Sequence, residues 1–228
     1  VERATVNAVA RLAAYRYVQE RAGKRLLHVV ASPEQERRWT ADAFWNARSA
    51  AYDAAEAAGA RGGVTVPHPY RASDDGEHLW RAATEHGDWD EDQGKWSLFR
   101  DAAGDDWEAM RENVEAAPHY HMLAAARDLD GDDAPPGWVV KNIRSLPRFH
   151  VDDVEAYRAM ARPMYYTLTH AAAQDGRNTV TYWGDVHPGA FNPEEGLSAA
   201  RWERIQEYAE RAVKERPGEG AAGTGSEE

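Results

Sequence analysis

Two histidines separated by one residue, in Ala117-Pro118-His119-Tyr120-His121-Met122-Leu123, constrain this chain more than any other stretch. The run reads as a strand. Successive strand side chains alternate faces at about 3.3 Å per residue, so His119 and His121 project from one face with their roots roughly 7 Å apart. Tyr120 and Met122 then point into whatever covers the other face. Two imidazoles so placed can converge on one metal ion. A second β-rich run, Gly63-Val64-Thr65-Val66-Pro67-His68-Pro69-Tyr70-Arg71, ends in a further histidine beside an arginine. Antiparallel pairing of the two runs would bring cross-strand Cβ atoms within about 5 Å and make His68 a third ligand. Three ligands with open positions describe a metal site that handles a substrate. Such ligands are expected to line a surface cleft and to carry little packing, so that alanine replacements spare the fold.

The rest of the chain supplies helices for a mixed architecture. Val6, Val9, Leu12, Ala13 and Tyr17 recur at helical spacing and predict a helix from Val1 to about Ala22. Leu26 to Ala31 reads as a buried strand. Ser32-Pro33, a cap residue followed by proline, predicts the start of a helix that runs to Ala60 and is stopped by Arg61-Gly62-Gly63. From about 72 to 105 the chain is acidic, rich in Gly and Asp, and holds Trp80, Trp89, Trp96 and Phe99, which predicts an ordered insertion. His78 and His86 within it read as surface histidines. Trp107 to Val114 suggests a short helix. Beyond the turn-rich stretch Asp128 to Gly137, a strand is expected over Trp138 to Arg144, a helix from Val151 to about Ala173, a strand from Asn178 to Trp183 and an amphipathic helix from Leu197 to Glu215. The expected fold is therefore α+β, a central antiparallel sheet flanked by helices. It forms one domain over 1–216, and the Gly, Ala, Ser and Glu of 217–228 read as a disordered acidic tail.

Composition narrows the chemistry. The 228 residues include no cysteine, which excludes disulfides, thiolate zinc sites and cysteine nucleophiles. No Walker or Gly-x-Gly-x-x-Gly motif supports a nucleotide site, and no apolar run approaches the ~20 residues of a membrane span. Opening on Val1 rather than methionine is expected of a cut piece or a processed product. The formal charge is −12, and Lys24, Lys95, Lys141 and Lys214 are the only lysines. Acidic, lysine-poor surfaces suit a cytoplasm of very high salt, where repulsion between carboxylates is screened within ~3 Å at 1 M; a GC-rich genome would also raise Arg and Ala.

A metal site that handles a substrate needs a nucleophile, and Met164-Tyr165-Tyr166-Thr167-Leu168-Thr169-His170 offers two tyrosines on a predicted helix. Residues four apart share a helical face, so Tyr166 lies with Arg162 and His170. A tyrosine flanked by such groups can attack a phosphorus centre. Tyr165 is turned about 100° away and is expected to pack in the core, although the sequence leaves the choice between the two open. His28 either faces the same site or is a satisfied core histidine.

Taken together, a strand ending in Ser32-Pro33, the His68-Pro69-Tyr70-Arg71 strand, Pro118-His119-Tyr120-His121-Met122-Leu123 and the Tyr166-x-x-x-His170 helix resemble the HUH endonuclease superfamily. Within it they are similar to the rolling-circle replication initiators (Rep proteins) of haloarchaeal plasmids and pleomorphic viruses. The resemblance runs from about Leu26 to His170 and more loosely through Trp183-Gly184. It implies an RRM-like core and a divalent cation, Mn²⁺ or Mg²⁺, on His119 and His121, with His68 in the place where the family often supplies Glu or His. It also implies Tyr166 as the nucleophile that becomes 5′-phosphotyrosine at a replication origin in single-stranded DNA, leaving a 3′-hydroxyl for the host replication machinery of a high-salt archaeal cytoplasm. Three imidazoles favour Mn²⁺ and similar ions over Mg²⁺. Arg71, Lys141, Arg144 and Arg148 are candidates for the DNA backbone, beside Arg162 and His170.

Two features depart from the family pattern. The lysine often found one turn after the tyrosine is absent, its place taken by Thr169 or His170, and the acidic insertion interrupts the hairpin that carries the ligands. Other readings stay open: a relaxase or transposase of the same superfamily, or a non-catalytic DNA-binding or structural domain. A cupin-type metal enzyme would place a glutamate shortly after the histidine pair, and Ala124 to Arg127 has none.

Overall fold

The structure is a computed structural model that describes residues 1–19, 25–33, 41–72, 89–90, 95–96, 114–169, 171 and 177–215, with backbone alone for 41–43, 69–72, 89–90, 95–96, 114–118 and 169. The expected insertion lies outside the described residues, apart from a short antiparallel pairing of Trp89–Asp90 with Lys95–Trp96. His78, His86, His170 and the tail at 217–228 lie outside them as well. Among the described residues, no helix is long and apolar enough to cross a membrane.

Five strands form one antiparallel sheet: β1 (Arg25–Pro33), β2 (Ala60–Ala72), β3 (Val114–Ala126), β4 (Trp138–Ser145) and β5 (Thr181–Gly184), in the order β4-β1-β3-β2-β5. The helices are α1 (Glu2–Val18), α2 (Ala41–Ala57), α3 (Val154–Thr169) and α5 (Ala199–Lys214), with the single turn α4 (Pro193–Gly196) between the last two. The expected α+β architecture, a central antiparallel sheet flanked by helices, is the observed one.

The sheet carries a layer on each face, which explains why its inner strands read as continuous apolar runs rather than alternating ones. On one face Leu27, Val29, Ala31, Tyr120 and Met122 pack against Phe44, Trp45, Ala51, Ala54 and Ala55 of α2. On the other face Leu26, Val64, Val66, Leu123 and Ala125 meet α1, α3 and α5 through Val9, Leu12, Tyr15, Met160, Met164 and Ile205. The cap of α5 is local chemistry: the Ser198 side chain accepts from the Arg201 amide.

Several boundaries differ from the sequence reading: β5 begins at Thr181 rather than Asn178 and α3 at Val154 rather than Val151, and others differ more deeply. Ser32 and Pro33 do not open a helix; they continue β1, with Pro33 opposite Trp138 of β4. Pairing of β1 with β3 has ended by then, its last register partner being Ala31, so proline's missing N–H costs that side no ladder bond. The described part of α2 begins at Ala41 and ends at Ala57, and the stop is Gly59, at φ 106°. Arg61, Gly62 and Gly63 belong to β2. Gly62, at φ 150° beside a register shift, is needed there because a Cβ would come within 2.5 Å of the Asp185 nitrogen. Of the short helix expected from Trp107, Val114 belongs to β3 and the remainder lies outside the described residues.

Candidate metal centre

β2 and β3, two of the three inner strands, place the three histidines. Tyr120 turns to the α2 face, where its hydroxyl donates to the Phe44 carbonyl at 2.6 Å. His119 and His121 therefore take the opposite face. His68 lies directly across from His119, and Val66 across from His121. A register shift follows His68, between His68 and Tyr70, and such bulges re-aim the side chains beside them. The ring centroids of His68 stand 5.1 Å from His119 and 4.4 Å from His121, and those of His119 and His121 are 4.9 Å apart. One ligand nitrogen from each ring lies within 4.8 Å of the other two.

That set can hold a metal ion. Nitrogens around 2.1 Å from one tetrahedral ion sit about 3.4 Å apart, so modest side-chain rotation closes the triad onto a single ion. Three neutral imidazoles are soft enough for first-row transition ions and poor for Mg²⁺, which prefers oxygen.

The expected surface cleft is not what surrounds them. His68 is 3% exposed and His119 6% exposed, because α3 lies over this face of the sheet. The helix also engages the triad directly: His68 Nε2 is 2.7 Å from the backbone oxygen of Thr167. A carbonyl only accepts, so Nε2 carries the hydrogen and the lone pair of neutral His68 is on Nδ1. Thr167 lies in the last turn of α3, where carbonyls lack an intrahelical partner. This contact was not legible in the sequence, since a backbone acceptor leaves no residue-type signal.

His28 is the residue on which the sequence reading stayed open, and it is both buried and part of the site. Its Nε2 lies 2.9 Å from Nδ1 of His121. It shares a narrow crevice with His121, Met164 and Thr167. Burial, aided by the nearby Arg144 charge, pulls its pKa down to about 4 and keeps the ring neutral at physiological pH.

The other expected residues distribute as follows. Tyr166 is 43% exposed, whereas Met164, Thr167 and Leu168 are buried and Tyr165 is partly buried. Tyr166 precedes Thr167 by one residue, about 100° around the helix, and Arg162 is exposed one turn earlier. Lys141 and Arg144 are exposed on the edge strand β4, opposite Val30 and His28. Arg148 is exposed just beyond that strand. Arg71 is in β2 opposite Glu115, with its side chain outside the described residues. At the turn around His187, the ring Nδ1 accepts from the Gly189 amide.

No family model matches the chain, and neither the curated proteins nor the solved structures contain a match.

Proposed function

We propose that the chain is a metal-dependent HUH-type endonuclease and strand transferase, which nicks single-stranded DNA at a replication origin and so initiates rolling-circle replication of a plasmid or virus. The observation that carries the reading is the placement of His68, His119 and His121 on one buried patch of the sheet, tied by Thr167 to the helix that bears the exposed Tyr166.

A divalent cation on the three imidazoles, Mn²⁺ in preference to Mg²⁺, would polarise a non-bridging oxygen of the scissile phosphate. Tyr166 gives up its phenol proton as Oη attacks the phosphorus, the bond to the 3′ oxygen breaks, a 5′-phosphotyrosine forms and the departing oxygen takes up a proton as the 3′-hydroxyl, so that protons balance. Host replication machinery extends that end. Arg162 and, in the sequence, His170 share the Tyr166 face and supply positive charge beside the developing oxyanion. Lys141 and Arg144 hold the DNA backbone, with Arg71 as a further contact. The acidic, lysine-poor composition supports a cytoplasm of high internal salt as the setting.

The test uses the protein with Mn²⁺ and labelled single-stranded oligonucleotides from a candidate origin. A denaturant-resistant protein–DNA adduct is expected, lost in Tyr166→Phe while metal binding persists, because only the hydroxyl is removed. An adduct that survives in that variant and maps to Tyr165 transfers the nucleophile to the neighbouring tyrosine. Stoichiometric metal and DNA binding without an adduct on any tyrosine, with the cognate origin supplied, sinks the nuclease reading in favour of a binding domain.

A further inference from the structure

The contact between His28 and His121 has a consequence for which nitrogen of His121 is available. Two neutral ring nitrogens 2.9 Å apart bond only when one of them carries the hydrogen. Were His28 the donor, His121 would hold its own hydrogen on Nε2 and have no lone pair left for a metal. With His121 the donor, Nδ1–H points at His28 and the lone pair of the ring is on Nε2. Neutral imidazole in water favours the opposite form, with hydrogen on Nε2, so the protein has to select this one.

We infer that His28 is a positioning residue that fixes His121 in its Nδ1–H tautomer and aims its Nε2 at the cation, an inference that rests on the three-histidine metal reading above. The fold supports the role in two ways. His28 belongs to β1, one strand over from β3, and lies opposite Leu123, so it reaches His121 along the diagonal of the sheet. It is 7% exposed, with its ring 5.1 Å from that of His121 and tilted by 36°, so packing holds the acceptor in place. The Thr167 carbonyl does the same for His68 from the helix side. Two of the three ligands thus have their outer nitrogen pinned, each by a different element, which is the way outer partners orient metal-binding histidines in general.

Two substitutions separate the acceptor from the ring. His28→Phe keeps bulk and removes the acceptor; His28→Gln places an amide oxygen near the former Nε2. In metal-free protein, long-range ¹H–¹⁵N spectra of the histidines should show His121 as Nδ1–H in the wild type and in His28→Gln, and not in His28→Phe. Titration calorimetry with Mn²⁺ should show affinity ~10–100-fold weaker in His28→Phe and close to wild type in His28→Gln. A wild-type His121 found as Nε2–H, or a folded His28→Phe with undiminished affinity, overturns the inference. A wild type that shows the Nδ1–H form yet takes up no Mn²⁺, Co²⁺ or Zn²⁺ overturns the metal reading instead. If His28→Phe fails to fold, the wild-type tautomer and the His28→Gln affinity still decide the matter.

Discussion

His68 has two roles that a pair of substitutions can pull apart. Its Nε2–H donates to the Thr167 carbonyl at 2.7 Å, and its Nδ1 carries the lone pair that would bind a metal on the proposed reading. His68→Ala removes both. Losing the hydrogen bond and leaving a carbonyl buried beside a residue that is 3% exposed costs ~1–3 kcal/mol, and the space vacated by the ring adds to it. The expected total is about 3 kcal/mol. With a urea dependence of ~1–3 kcal/mol per molar, the unfolding midpoint of the metal-free protein falls by at least roughly 1 M. His68→Gln behaves differently, since its amide nitrogen lies near the former Nε2 and can still donate. It should keep stability within about 1 kcal/mol of wild type while Mn²⁺ affinity drops by two orders of magnitude or more. Urea unfolding followed by circular dichroism, with calorimetric Mn²⁺ titration of the same samples, reads both effects. A His68→Ala midpoint equal to wild type would refute the bond to α3. Undiminished Mn²⁺ binding by His68→Gln would refute His68 as a ligand.

Tyr120→Phe removes a buried bond to the Phe44 carbonyl and should lower stability by ~1–2 kcal/mol at neutral pH, measured by urea unfolding. Burial holds the Tyr120 hydroxyl well above the ordinary tyrosine range, so the folded state keeps this proton where the unfolded chain has lost it. Its contribution is complete below pH 10 and declines above it by about 1.4 kcal/mol per pH unit; Tyr120→Phe should flatten the alkaline loss by that slope. Gly62→Ala, forced into φ 150° with its Cβ 2.5 Å from the Asp185 nitrogen, should cost about 3 kcal/mol in thermal or urea unfolding. A loss below 1 kcal/mol would show that β2 can shift. Raising KCl from about 0.1 M toward several molar should increase the thermal midpoint, as screening weakens repulsion among the excess carboxylates; a flat or falling midpoint contradicts the high-salt assignment.

The sequence made the sheet legible wherever alternation and burial agreed. His119 and His121 on one face and Tyr120 on the other follow from strand geometry alone, and the pairing of His68 with His119 required only that the two β-rich runs be neighbours. The failures lie where a local signal met a tertiary contact. Ser32-Pro33 has the chemistry of a helix start, yet pairing with Val139 and Trp138 keeps both residues in β1. Gly62-Gly63 resembles a helix stop, yet these glycines are required by the close approach of β2 to β3 and β5. The surface-cleft expectation failed for a related reason, because nothing in Pro118-His119-Tyr120-His121 announces that α3 will cover it. His28 could not be resolved from the sequence at all, since its bond to His121 depends on the register between β1 and β3.

That register also bears on how an acidic protein would hold DNA. Lys141, Val30, His121 and Val66 form one row across β4, β1, β3 and β2, and Arg144, His28, Leu123 and Val64 form another. Strands lie about 4.8 Å apart, so Lys141 is rooted roughly 10 Å from His121 on the same face. The stretch 134–151 around it contains Lys141, Arg144 and Arg148 and no carboxylate side chain, within a chain of net charge −12. At molar salt neither the general repulsion nor this local attraction reaches beyond ~3 Å. Affinity on the proposed reading must then come from groups in contact: the cation against a phosphate oxygen, and Lys141 and Arg144 against neighbouring phosphates. Neutralising both, as in a Lys141→Gln, Arg144→Gln double variant, should therefore reduce the slope of log affinity against log salt by about 1.4 for a single strand, at ~0.7 per phosphate contact, and leave Mn²⁺ affinity as it was. An unchanged slope would place the DNA path elsewhere on the molecule while sparing the metal centre.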